Sequence, residues 1–248
     1  MNKFLFPNLS WLLLLLIPFT FLGFYPSYFS KLLSPVDNIY HIHALLMVLW
    51  VALAIIQPFL IQQKKTKLHK VIGKASYLIM PLVFIAGYFV IRHTYFTNIS
   101  STMEQVAKGL SKLTPEAIAA KAAAAIVVGL MYFIWLLTFY LLAVINRKKI
   151  LFHATYMFAA ILTILGPTVE RLTYTVITYF GWPYNFIFQN GVLFSILLLL
   201  VMLIIYQRKK GNSVKPATIA LSIYAAGILV LFFLPDTIAW QSFVELIM

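Results

Sequence analysis

Residues 41–93 read HIHALLMVLWVALAIIQPFLIQQKKTKLHKVIGKASYLIMPLVFIAGYFVIRH, and this stretch decides the fold class. Two apolar runs flank a basic turn that holds Lys64, Lys65, Lys67, His69 and Lys70. Each run is continuous, and each approaches the roughly 20 helical residues needed to cross about 30 Å of hydrocarbon. Continuous runs exclude a membrane β-barrel, whose strands alternate apolar and polar positions. Two apolar helices joined by a charged turn form a hairpin whose loop lies in water.

The pattern extends in both directions. Apolar segments run approximately over 8–25, 36–62, 69–92, 115–146, 150–179, 187–207 and 216–234. They predict an all-α, polytopic membrane protein, a bundle of about seven transmembrane helices forming one domain. Composition agrees: 62% of the 248 residues are hydrophobic and 10% are charged, where a soluble domain carries about 25% charged residues. Lys3 and the apolar run Trp11–Phe24 mimic a signal peptide. The residues that follow, Tyr25-Pro26-Ser27-Tyr28, offer no small-x-small cleavage site, so the segment is expected to be a retained first helix. The absence of cysteine excludes disulfides, thiolate metal sites, iron–sulfur clusters and cysteine nucleophiles.

Net charge is +13, but the cations cluster between apolar runs, which signals membrane orientation and not a nucleic-acid groove. Lys64, Lys65, Lys67 and Lys70, then Arg147, Lys148 and Lys149, then Arg208, Lys209, Lys210 and Lys215 follow the second, fourth and sixth segments. The positive-inside rule puts these loops in the cytoplasm, the N-terminus inside, the C-terminus outside and the chain in the cell inner membrane. The acids Asp37, Glu104, Glu116, Glu170, Asp236 and Glu245 then fall outside or at the outer edge. A purely basic inner face favours anionic lipids.

Local signals mark several boundaries. Ser34-Pro35-Val36-Asp37 is expected to cap the second segment, and Thr114-Pro115-Glu116 the fourth. Gly166-Pro167 predicts a kink or break in the fifth. Residues 94–114 are expected to form an outer loop, with Met103, Val106 and Leu110 at the spacing of a short interfacial helix. The sequon Asn98-Ile99-Ser100 carries little weight without a eukaryotic secretion signal. The tail from Asp236 to Met248 suits another short amphipathic piece.

Ionisable residues within membrane helices are functional candidates by default. His69 and His153 each follow a basic turn, preceded by Trp50 and Trp135 at nearly equal spacing. Two hairpins related by a parallel repeat would let these imidazoles face each other, as axial ligands of a bundle-bound haem b do, with nearby cations for its propionates. Read blandly, both are solvated histidines in basic loops. His41, His43 and His93 collect on the outer side. His69 and His93 lie roughly 36 Å apart along a straight helix, so one site cannot use both. His41 and His43 differ by about 200° around a helix. His43 shares a face with Met47, Trp50, Ala54 and Gln57, whereas His41 shares one with Asp37. The Asp37/His41 couple is either a metal-binding pair or an ordinary capping ion pair. His43 and His93, with Glu170 as third ligand, form an outer candidate suited to zinc or iron. Gln57 needs a hydrogen-bond partner in the bundle and is expected to join helices.

The stretch quoted above resembles small bacterial membrane proteins that place one histidine at the outer start of a helix, a second after a short basic turn and a third at the outer end of the returning helix. Here these match His43, His69 and His93. Relatives of that type are linked to haem–copper oxidase assembly. Over residues 40–170 the layout also loosely resembles four-helix, two-haem b-type electron carriers, which would add His153. The fourth segment has no histidine to pair with His43, so a single inner haem or an outer metal site fits better. These resemblances imply electron transfer or oxidase assembly, with a respiratory-chain or quinone partner. Two other classes compete: an intramembrane metal hydrolase acting on lipid through His41 or His43, His93 and Asp37 or Glu170, and a transporter or structural partner with incidental histidines.

Overall fold

The computed structural model describes residues 9–183 and 186–248, and every regular element among them is helical. Ten helices follow in order: α1 (Leu9–Leu14), α2 (Leu16–Phe24), α3 (Asn38–Gln62), α4 (Thr66–Lys74), α5 (Ser76–Ala107), α6 (Pro115–Ile145), α7 (Ile150–Phe180), α8 (Phe186–Lys209), α9 (Lys215–Phe233) and α10 (Ile238–Ile247). Six spans are long and apolar enough to cross a membrane: α3, the joined α4–α5, α6, α7, α8 from Asn190, and α9. The chain is therefore a multi-pass membrane protein. Successive spans run antiparallel, so the three lysine and arginine clusters gather at one end of the bundle.

The first apolar segment is two short helices, not one continuous rod. Pro18 has no N–H to bond the Leu14 carbonyl, and its ring crowds that turn. Leu15 instead bonds back to Leu12 over three residues at 3.1 Å. The pieces still follow the bundle. Trp11 packs edge-on against Phe59 near the basic end, with centroids 5.4 Å apart. Gly23 seats α2 against α7 near the far end, where any Cβ would overlap the Thr168 carbonyl.

Three local expectations change. Helix α3 starts at Asn38, with Asp37 and not Ser34 at the cap position; no side-chain cap bond forms, because the Asp37 carboxylate turns to His93. The third segment begins earlier than expected, as α4, which joins α5 through Ala75, where the Ser76 hydroxyl donates to the Gly73 carbonyl at 2.7 Å. It also ends later: α5 continues to Ala107 through most of the expected outer loop. Helix α7 is unbroken through Gly166-Pro167 and ends on Gly181, whose φ of 64° is the left-handed conformation that glycine adopts freely. The Thr114-Pro115 cap forms as expected, with the Thr114 hydroxyl accepting from the Ala117 N–H at 3.3 Å.

The core lies among α3, α5, α6, α7, α8 and α9. Trp50 and Trp135 are each 1% exposed and serve as its two anchors. Trp135 stacks on Tyr224 with centroids 4.0 Å apart, and Trp50 meets Tyr140 edge-on at 5.8 Å. Helix α10 folds back against α6, where Trp240 Nε1 donates to the Ala123 carbonyl at 2.8 Å.

Candidate functional site

At the basic end, α4 carries His69 and the first turn of α7 carries His153. Their ring centroids lie 6.4 Å apart, with the planes at 87°. Both rings are half-buried, and each is held through Nδ1. His153 Nδ1 is 2.9 Å from the Ala143 carbonyl. A carbonyl only accepts, so this nitrogen carries the proton and Nε2 keeps its lone pair. His69 Nδ1 meets the Gln57 side chain. In the amide orientation that satisfies both ends, the Gln57 nitrogen donates to His69 Nδ1, and its oxygen accepts from the Gly73 N–H at 3.0 Å. Neutral His69 then carries its proton on Nε2. Gln57 therefore positions a candidate ligand as well as joining helices.

The polar patch continues inward. Ser76 shares a 3.0 Å hydrogen bond with Tyr140, whose ring lies against Trp50. Ser76 and Tyr140 were not among the residues singled out from sequence. Ser76 was within reach of such a reading, because it follows His69 by seven residues, about two helical turns.

An ion gripped by two opposed imidazole nitrogens at about 2.0–2.1 Å spaces the ring centroids by roughly 6 Å. The observed centroid separation of 6.4 Å is of that order. His153 has the required tautomer. His69 acquires it if the Gln57 amide turns over so that its oxygen accepts from Nδ1–H, at the expense of the Gly73 bond. With that one rearrangement, both rings would offer an Nε2 lone pair.

The outer histidines separate. His41 Nδ1 pairs with the Tyr28 hydroxyl at 2.9 Å. His93 Nε2 pairs with Asp37 at 3.1 Å and packs under Tyr40. His43 lies against Phe133, and its Nδ1 is buried without a partner. The Asp37/His41 couple does not form, since Asp37 precedes the helix in an extended conformation and its side chain leaves the helical face. Glu170 accepts a 2.7 Å hydrogen bond from Tyr132. No three His, Asp or Glu side chains among the described residues gather closely enough to hold a metal ion.

Near Glu170 an open cleft of about 720 Å³ lies between α2 and α7, lined by Gly23, Pro26, Glu170, Arg171, Tyr174 and Thr178 among others. Arg171 Nη1 donates to the Pro167 carbonyl at 2.9 Å, and its guanidinium carbon sits 4.6 Å from the Phe24 ring centroid. Arg171 was not among the residues singled out from sequence. Comparison of the chain with protein-family models, with curated proteins and with solved structures gives no match.

Proposed function

We propose that this chain is an inner-membrane protein of seven spans that binds haem b, or a metal ion such as zinc or iron, through His69 and His153, and serves electron transfer or haem–copper oxidase assembly. The observation that carries this is the 6.4 Å approach of two imidazoles from separate hairpins, each anchored through Nδ1. A bond like that from His153 Nδ1–H to the Ala143 carbonyl fixes ring orientation at metal sites, and Gln57 would give His69 the same support once its amide turns over. Haem is favoured over a bare ion because two axial histidines complete the coordination of a haem iron, whereas zinc takes four ligands. Haem would supply one-electron chemistry. The chain would hold it through His69 and His153 and set Lys64, Lys65, Lys67, Lys70 and Arg147–Lys149 near its propionates. A quinone or a respiratory-chain protein suits as electron partner, and anionic lipid suits the basic face. The seventh span is α1–α2, supported by its course from Phe59 to Arg171 along the bundle.

The test is the visible spectrum of full-length protein purified from cells supplied with haem and iron. A Soret band lost in both His69→Ala and His153→Ala supports haem ligation. Stoichiometric zinc or iron without that band, lost in the same variants, supports the bare-ion form. Protein carrying neither group overturns the proposal.

A further inference from the structure

The cleft at Arg171 stands apart from the histidine pair. Arg171 follows His153 by eighteen residues, about 27 Å of helix rise, which places it near the opposite edge of a hydrocarbon layer about 30 Å thick. Exposed Phe21, Tyr25, Tyr174 and Tyr179 surround this level, as aromatic belts do at lipid headgroups. Two charges meet in the cleft wall. Arg171 has five N–H donors, but bonds only the Pro167 carbonyl and pairs with no carboxylate among the described residues. Glu170 receives Tyr132 on one oxygen, and its other oxygen takes no hydrogen bond among the described residues. Consecutive helical residues point about 100° apart, and these two side chains form no direct ion pair. A cation and an anion are thus held separately on one cleft, whose 720 Å³ lies within the roughly 300–1,000 Å³ of ligand sites.

We infer that this cleft binds the headgroup of a zwitterionic phospholipid, with its phosphate on Arg171 and a primary ammonium on Glu170. Phosphatidylethanolamine has that chemistry. Phosphatidylglycerol lacks the ammonium, and phosphatidylcholine has a methylated ammonium that cannot donate to a carboxylate. The acyl chains would leave along the apolar surface of α2 and α7. The Phe24 ring holds the guanidinium in place (a cation–π contact) without neutralising it.

Native mass spectrometry of the full chain, with each of the three lipids added in turn, tests this. One phosphatidylethanolamine per chain is expected, retained at least tenfold over the other two. Arg171→Ala is expected to lower that retention tenfold or more. Because this substitution also removes the contacts to Phe24 and Pro167, Thr178→Trp serves as a second variant; it fills the cleft, keeps both charges and is expected to cause the same loss. Glu170→Gln is expected to erase the preference over phosphatidylglycerol. Equal retention of the three lipids, or unchanged retention in both Arg171→Ala and Thr178→Trp, overturns the inference. Displacement of the lipid by millimolar water-soluble phosphoethanolamine overturns the membrane source and assigns the cleft to a free phosphate ester.

Discussion

Gly227 of α9 and Gly191 of α8 lie on neighbouring helices, yet the same substitution has opposite consequences at each. A Cβ on Gly227 would overlap the Trp135 indole, which is stacked on Tyr224, whereas a Cβ on Gly191 meets nothing within 4 Å. Gly227→Ala is expected to destabilise by about 1–3 kcal/mol through overpacking. Gly191→Ala is expected to be neutral or to gain up to about 1 kcal/mol of helix propensity. Thermal unfolding in detergent, with wild type alongside, compares the two; equal shifts would contradict the packing described for Trp135. Gln57→Leu is expected to lower affinity for the proposed haem by about 10–100-fold without unfolding the chain, as losing the hydrogen-bond partner that orients a ligating histidine does. Titration of haem into apo-protein measures it, and unaltered affinity would show that Gln57 positions nothing. The approach of His69 and His153 was legible in sequence because each follows a basic turn at the same end of the bundle. Tyr132 and Glu170 were not legible as a pair: they are 38 residues apart, on helices so apolar that no polar face sets their rotation.

The spans were legible as elements because their apolar runs have the length of a bilayer crossing. Their ends were less so. Residues 94–107 contain Thr, Asn, Ser and Glu, a composition that suggests a loop, yet α5 continues through them. The hydroxyls bond back within the helix: Thr94 to the Val90 carbonyl at 2.9 Å, Ser100 to Phe96 at 3.0 Å and Thr102 to Asn98 at 2.8 Å. Lys108 pairs with Glu104 one turn away. Composition does not reveal these bonds, because the same side chains cap turns when the backbone leaves the helix. A 32-residue helix is roughly 48 Å long, so α5 extends beyond a hydrocarbon layer of about 30 Å. Hydrogen exchange should therefore find the amides of residues 98–107 protected and those of Ser111 and Lys112 fast. Uniformly fast exchange from residue 94 onward would restore the loop.

Across the whole molecule, the chain path separates the basic clusters from the C-terminus. The basic clusters gather at the end where α3, α6 and α8 finish. The C-terminus lies toward the opposite end, where Arg92 Nε donates to the Met248 carbonyl at 2.7 Å and Tyr88 donates to Ile247 at 2.5 Å. These bonds tie the last helix to the far half of α5, a placement that sequence alone left open because α10 is too short to span. In the proposed orientation the C-terminus would lie outside and the α8–α9 turn in the cytoplasm, as the positive-inside rule favours. The chain has no cysteine, so a single introduced thiol reports without background. In intact cells a membrane-impermeant maleimide should modify Lys112→Cys, in the connection between α5 and α6. The same reagent should reach Ser213→Cys, in the basic α8–α9 turn, only after the membrane is opened. The reverse pattern would invert the bundle and place the His69/His153 pair on the outer face, away from cytoplasmic haem and metal. Labelling of both sites in intact cells would show that the two ends do not lie in separate compartments.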